Sequence, residues 1–84
     1  MTREDVFQLI ADRAREVLPD LKDHVFKDSD RLRDLGANSL DRAEIAMLVL
    51  ESLSLTIARV ELFGPSNVGE LADLIHSRLE ARAA

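Results

Sequence analysis

The chain has 84 residues, of which 46% are hydrophobic and 32% are charged, and 16 acidic against 11 basic residues give a net charge of −5. This length predicts one domain, 1-84, with little room for an enclosed catalytic cleft. The acidic balance argues against nucleic acid as a partner, because phosphate binding needs a basic surface, and favours partners with basic patches.

Cysteine is absent, and the only histidines, His24 and His76, have no ligand-like pattern around them, so we expect neither thiol chemistry nor a metal site. No apolar run approaches the roughly 18 residues that a membrane span needs. The first residues turn acidic at once, unlike a signal peptide. The expectation is a cytoplasmic monomer without a membrane partner.

The first predicted helix runs from Arg3 to about Val17. Thr2 can cap it, with Asp5 three residues later to complete a capping box, and Pro19 ends it. Its apolar stripe, at helical spacing, comprises Val6, Ile10, Ala14 and Val17.

A long connection of mixed charge follows, from Leu18 to Asn38. Loops of that length without structure are uncommon in compact domains, so we expect its apolar residues to pin it across the bundle. We also expect one helical turn near Asp30–Asp34, before Gly36 supplies a backbone conformation that other residues resist. The pinning residues are Leu21, Val25, Phe26, Leu32 and Leu35.

Three further helices are predicted. The second spans Ser39 to about Leu53, and a short third covers Ala58 to Phe63 before Gly64-Pro65. The last runs from Val68 to about Ala81, with Asn67 as its cap. The expected fold is all-α: a four-helix bundle of three long helices and one short helix, with a long first loop.

The second helix carries two apolar stripes, although a helix in a small bundle needs to bury only one. Apolar anchors rimmed by carboxylates suit a docking surface for a basic partner. A helix buried nearly all round is the alternative, and periodicity alone leaves both open. One stripe has Ile45, Ala46, Val49 and Leu53, with Arg42 at its first turn; the other has Leu40, Ala43 and Met47, edged by Glu44 and Glu51, with Leu50 on the flank.

Ser39 lies at the head of this helix. If Asn38 is the cap, with Asp41 reaching back, the Ser39 hydroxyl is free at the first helical position. Unpaired backbone N–H groups and the positive end of the helix dipole would favour a phosphate there. The simpler alternative is that Ser39 is itself the cap.

A serine hydrolase would need a general base held against Ser39, and only His24 and His76 could serve. Neither lies in a recognisable motif, and no Gly-rich nucleophile elbow surrounds the serine. No catalytic residue is therefore predicted.

The segment Leu35-Gly36-Ala37-Asn38-Ser39-Leu40-Asp41 resembles the modification motif of the acyl carrier protein family, and Asn67-Val68-Gly69-Glu70-Leu71 resembles the start of the family's fourth helix. The likeness covers essentially the whole chain. It implies a carrier without catalytic activity, on whose Ser39 a phosphopantetheinyl transferase places 4'-phosphopantetheine from coenzyme A. The implied partner face comprises Leu40, Asp41, Arg42, Ala43, Glu44, Met47 and Glu51.

One residue departs from the family pattern. The family usually has aspartate immediately before the modified serine, where this chain has Asn38. The change removes a negative charge beside the incoming phosphate and leaves open which transferase acts.

The string Gly36-Ala-Asn-Ser-Leu-Asp-Arg-Ala-Glu44 is also similar to a narrower group, the stand-alone donor carriers of polyketide β-branching. This resemblance implies an acetyl group on Ser39, made from a malonyl precursor. The implied partners are an acyltransferase, a decarboxylating ketosynthase and an enzyme resembling hydroxymethylglutaryl-CoA (HMG-CoA) synthase. Arg42 would help distinguish the donor by reaching outward; a solvated charge or a local pair with Asp41 or Glu44 is the alternative.

Three functions stay open on the sequence. The first is this donor carrier, and the second is a general carrier for fatty acid or polyketide synthesis. The third is an unmodified helical adaptor that binds a partner through Leu40 and Met47.

Overall fold

The computed structural model describes residues 1–83, and every regular element within that range is helical. The helices are α1 (Arg3–Val17), α2 (Ser39–Ser52), α3 (Arg59–Leu62) and α4 (Val68–Ala83). The prediction of three long helices and one short one is confirmed. A 3₁₀ turn at Pro19–Leu21 was not predicted.

Helix α1 begins where the sequence predicts. The Thr2 hydroxyl accepts a hydrogen bond from the Asp5 N–H (3.1 Å), and the Asp5 carboxylate accepts one from the Thr2 N–H (2.9 Å). These bonds from Thr2 lower the pKa of the Asp5 carboxyl. The helix ends at Leu18, because Pro19 has no N–H with which to continue it.

The core is built around α1, which packs against both α2 and α4. Burying one branched apolar side chain completely contributes about 1.5–3 kcal/mol, so these contacts fix the three long helices relative to one another. Each long helix contributes two of the largest fully buried side chains, which are Val6, Ile10, Ile45, Val49, Val68 and Ile75.

The long first loop is pinned by its apolar residues, with one exception. Leu21, Phe26 and Leu32 are buried, and Leu35 packs against the core. Val25, however, is 76% exposed, so its predicted anchoring role is wrong. The Phe26 ring turns inward and meets the His24 ring edge to face, with 4.8 Å between the ring centroids. Val25, which lies between them, is left facing solvent.

The predicted helical turn in this loop is present, displaced by one residue. The N–H groups of Asp34 and Leu35 both donate to the Arg31 carbonyl, at 2.9 and 3.2 Å. The turn closes at Gly36, whose φ of +104° lies in the region that side chains resist. Gly36 therefore ends the loop and directs the chain toward the head of α2.

The loop also caps the start of α4. The Val68 N–H donates to the Asp30 carbonyl (2.8 Å) and the Gly69 N–H to the Asp28 carbonyl (3.0 Å), which satisfies two donors that a helix start leaves unpaired. Arg3 of α1 reaches the same place and donates to Asp28 (3.1 Å) and to the Gly69 carbonyl (3.0 Å). A Cβ on Gly69 would lie 2.8 Å from the Asp28 Cβ, so only glycine fits.

Asp30 also stabilises the loop through its side chain. Its carboxylate lies 2.9 Å from the His24 Nε2 and accepts a hydrogen bond from the Lys27 N–H at 2.8 Å. Desolvation raises the pKa of Asp30, but the bonds from His24 and Lys27 outweigh it, so the pKa lies below its usual value.

We predict that Asp30→Asn lowers the free energy of unfolding by about 1 kcal/mol at neutral pH, where the ionised carboxylate makes charge-assisted bonds. Because the folded pKa is depressed, this stabilisation is complete above the unfolded pKa of about 3.9 and is lost as pH falls through the folded value. Urea unfolding at several pH values between about 6 and 3 should show the two proteins converging on acidification. Asp23→Asn, the same change at an exposed loop position, is the control; a gap that does not depend on pH would contradict the prediction.

Candidate functional site at the head of α2

The head of α2 is organised by a capping box that does not involve Ser39. The Asn38 side chain accepts a hydrogen bond from the Asp41 N–H (2.8 Å), and the Asp41 carboxylate accepts one from the Asn38 N–H (3.2 Å). Asn38 is extended and Ser39 is the first helical residue. The alternative in which Ser39 caps the helix is therefore wrong.

The Ser39 hydroxyl is available for modification. The residue is exposed, and its hydroxyl makes no hydrogen bond to any residue in 1–83. The N–H groups of Ser39 and Leu40 belong to the first turn, whose donors have no partner within the helix. Together with the helix dipole they stabilise a phosphate at this end by about 0.3–1 kcal/mol. A phosphodiester on this oxygen is thus compatible with the local structure.

Within residues 1–83, neither histidine makes a hydrogen bond to Ser39. His24 Nε2 is paired with Asp30, and His76 Nε2 lies 3.1 Å from Glu80 on α4. Over the described residues, no group of three or more His, Asp or Glu side chains could hold a metal ion. The same residues include no helix long and apolar enough to cross a bilayer.

The two stripes of α2 have different environments. Ile45, Ala46 and Val49 are buried, whereas Leu40 and Met47 on the other stripe are 80% and 52% exposed. A helix buried nearly all round is therefore excluded. Leu50, predicted on the flank of the second stripe, is also buried in the core.

Most of the predicted partner residues share one shallow surface, which we call the docking face. It comprises Leu40, Ala43, Glu44, Met47 and Glu51, with Leu48 beside them and Arg59 contributed by α3. The two remaining predicted residues lie elsewhere. Asp41 is engaged in the capping box, and Arg42 lines a neighbouring cleft between α2 and α3.

Arg42 makes a backbone contact that the sequence did not suggest. Its guanidinium folds back and donates to the Ala37 carbonyl at 2.9 Å, across the turn that precedes α2. Within residues 1–83 it forms no ion pair with Asp41 or Glu44, so the predicted local pair is wrong. The bond ties the first turn of α2 to the preceding loop and fixes the backbone on both sides of Ser39.

Sequence reasoning missed two exposed apolar residues near this site. Val60 in α3 is 78% exposed, and Phe63 immediately after the helix is 66% exposed. They are spaced i, i+3 and so share one side of the short helix. A four-residue helix cannot bury all its apolar residues, since Leu62 already packs against the core. The i, i+3 spacing of Val60 and Phe63 in the sequence was the signal that could have identified them.

We predict that Asn38→Ala lowers the free energy of unfolding by about 1 kcal/mol, within the 0.5–2 kcal/mol range for lost caps, because it removes the acceptor for the Asp41 N–H. Asn38→Asp should retain stability, since aspartate caps as well as asparagine. Thermal or urea unfolding measures both. Equal stability of the alanine variant and the wild type would contradict the capping role of Asn38.

Comparison with known proteins places this geometry in a family. Residues 8–75 match the family described as the phosphopantetheine attachment site. The polyketide biosynthesis acyl-carrier-protein AcpK of Bacillus subtilis (strain 168) is 44% identical over 81 residues, which cover 96% of this chain and 99% of that protein. An acyl carrier protein of Cyanidium caldarium is 30% identical over 83 residues, which cover 99% and 96% respectively.

A solved structure gives the same result. The crystal structure of the curacin biosynthetic pathway HMG synthase in complex with acetyl donor-ACP contains a chain that superposes with a TM-score of 0.87. The two are 47% identical, and the match covers 92% of this chain and 99% of that one. The family is one of carriers, whose cofactor is covalently attached 4'-phosphopantetheine. This chain belongs to the phosphopantetheine-carrying family of acyl carrier proteins.

Proposed function

We propose that Ser39 is the residue that carries 4'-phosphopantetheine. The observation that carries this assignment is the free, exposed Ser39 hydroxyl beside the capping box of Asn38 and Asp41. A phosphopantetheinyl transferase forms the phosphodiester between the Ser39 Oγ and the arm, and the nucleotide part of coenzyme A leaves. Because coenzyme A is the donor, we place the reaction in the cytoplasm.

The loaded protein acts as a monomeric acetyl donor in polyketide β-branching and catalyses no reaction itself. The arm's thiol holds a malonyl thioester delivered by an acyltransferase, and a decarboxylating ketosynthase converts it to acetyl. An HMG-CoA synthase-like enzyme then takes the acetyl group. Support comes from the 47% identity to a chain in the acetyl donor complex and from the 44% identity to the polyketide carrier of Bacillus subtilis.

The docking face supplies the contact with these enzymes. Leu40 and Met47 are exposed apolar anchors, and Glu44 and Glu51 surround them with negative charge. Such an arrangement directs a basic partner surface onto the anchors, and salt weakens the charge contribution. Asp41 and Arg42 contribute by holding the first turn in place, so that the anchors and the arm keep a fixed spacing.

A general carrier is the second candidate function. The observation in its favour is the 30% identity to the acyl carrier protein of Cyanidium caldarium over nearly the full chain. Both carrier functions require the modified serine, whereas an unmodified adaptor does not. The two tests below separate the three functions.

The first test is attachment of the arm. After incubation with coenzyme A, magnesium and a transferase of broad specificity, intact mass should increase by one phosphopantetheine. Ser39→Ala should abolish the gain completely because it removes the accepting oxygen. Ser52→Ala, the same change at the exposed end of α2, should gain the arm normally. If several transferases leave the wild type unmodified, the adaptor function is correct instead.

The second test is acceptance of the acetyl group. Acetyl-loaded protein should serve an HMG-CoA synthase-like enzyme with a higher kcat/KM than a housekeeping carrier with the same load. Leu40→Ala should lower that kcat/KM roughly ten-fold, because an apolar anchor at the centre of an interface typically contributes 1–2 kcal/mol.

Val25→Ala is the matched control for the docking face. Val25 is as exposed as Leu40 but lies in the first loop, outside the docking face, so the change should leave turnover unaffected. Equal turnover of this protein and a housekeeping carrier would show that the general carrier function is correct. Equal losses from the two alanine variants would contradict the docking face.

A further inference from the structure

A cleft of about 370 Å³ lies between α2, α3 and the turn that closes at Gly36. The buried residues of its lining are all apolar and include Ala46 from α2 and Leu71 from α4. No aspartate or glutamate is among the residues of 1–83 that line it, although the chain carries 16 acidic residues. Four of its lining residues are arginines: Arg31, Arg33, Arg42 and Arg59.

These four arginines differ from the others in their partners. Elsewhere in the described chain, four of the remaining five arginines form ion pairs with carboxylates, and Arg82 donates to two backbone carbonyls. Arg42 donates only to the Ala37 carbonyl, and the other three cleft arginines, which are exposed, have no hydrogen-bond or ion-pair partner within residues 1–83. The carboxylate-paired arginines are Arg3, Arg13, Arg15 and Arg78.

The cleft adjoins the attachment residue. Ser39, Arg42, Ala43 and Ala46 are spaced i, i+3, i+4 and i+7, so they share one face of α2. This face leads from the Ser39 hydroxyl into the cleft over about 10 Å, at 1.5 Å per residue. A group carried on an arm at Ser39 can therefore fold back into the cleft.

We infer that the cleft binds an acyl group that ends in a free carboxylate, with the cleft arginines pairing with that carboxylate. The inference rests on the proposed function, in which the first cargo is a malonyl thioester. The apolar lining residues accept the carbon chain, and the unpaired guanidiniums supply charge-assisted hydrogen bonds to the carboxylate. The phosphodiester of the arm is held at Ser39 itself, outside the interior.

The charge of the acyl group then controls when that group leaves the cleft and becomes accessible to partner enzymes. Decarboxylation breaks the bond to the carboxylate, releases CO2 and takes up one proton at the remaining carbon, so malonyl becomes uncharged acetyl. The arginines lose their partner, and a two-carbon group buries too little apolar surface to stay in the cleft. Malonyl is thus retained until the ketosynthase withdraws it for decarboxylation, whereas acetyl stays outside the cleft.

The test compares four forms of the full chain by ¹⁵N NMR: the phosphopantetheine form without acyl group, and forms loaded with stable amide analogues of acetyl, malonyl and malonyl methyl ester. Intact mass first verifies each loading. The malonyl form alone should show shifts at the Ala43, Ala46 and Leu71 amides and at arginine Nε–H groups. The methyl ester, which has similar carbon content but no charge, should resemble the acetyl form.

Variants identify the arginines responsible. Arg33→Gln and Arg59→Gln should each lower the cleft-bound malonyl fraction roughly two- to five-fold, the range for a partly exposed ion pair. Lys22→Gln makes the same charge change at an exposed residue that does not line the cleft and should leave that fraction unchanged.

Several results would overturn the inference. Shifts already present without an acyl group would assign the arginines to the phosphodiester. Equal shifts for malonyl and its methyl ester would leave only apolar binding, and no malonyl-dependent shift would exclude the cleft altogether. Each of these leaves the carrier function intact, whereas failure of the chain to accept the arm at all would overturn the proposed function and this inference with it.

Discussion

The reciprocal capping bonds between Asn38 and Asp41 decide which atoms are available at the head of α2. A helix start leaves N–H donors unpaired, and the nearest short polar side chain usually accepts from one of them. Here Asn38 takes that role, and Asp41 reaches back to complete it. Ser39 is thereby left one position inside the helix, exposed and without a hydrogen bond within residues 1–83. If Asn38 did not cap the helix, Ser39 would be the cap, and its hydroxyl oxygen would be engaged in a hydrogen bond.

The residues around the head of α2 also fix the backbone on both sides of Ser39. Gly36, at φ +104°, turns the loop sharply enough for Asn38 to adopt its extended capping conformation. Arg42 donates to the Ala37 carbonyl across that turn, so the residues on both sides of Ser39 are held by side chains of α2 itself. The buried stripe of α2 is anchored by Ile45 and Val49 against the core. The point of attachment therefore stands on a rigid element rather than on a loose loop.

Charge is distributed unevenly over the molecule. Glu44 and Glu51 surround the exposed anchors of the docking face, whereas the neighbouring cleft is lined by arginines without carboxylate partners. Acids on the outer surface of α2 favour contact with basic partner proteins. Arginines without carboxylate partners beside a partly apolar cleft favour a small anionic group. The docking face and the cleft adjoin along α2, because Ala43, Met47 and Arg59 line both.

The sequence alone determined the helices and placed the serine at the head of α2, because caps and helical spacing are local and act within a few residues. It left open whether Asn38 or Ser39 is the cap. Thr2 with Asp5, and Asn38 with Asp41, are readable as pairs three residues apart, and Pro19 marks an end. The sequence could not say which stripe of α2 is exposed, since periodicity is the same for both. Packing against α1 decided that, burying Ile45 and Leu50 and exposing Leu40.

Long-range contacts also determined two features that the sequence did not predict, the exposure of Val25 and the arginine-lined cleft. Val25 faces solvent because its neighbour Phe26 is buried beside α1 residue Arg15, whose guanidinium lies 5.0 Å from the ring centroid. The cleft gathers arginines from the first loop, α2 and α3, which are up to 28 positions apart in the chain. No local pattern brings Arg31 and Arg59 together. Only the tertiary structure places them at one recess, because their proximity depends on how α3 and the loop pack against α2.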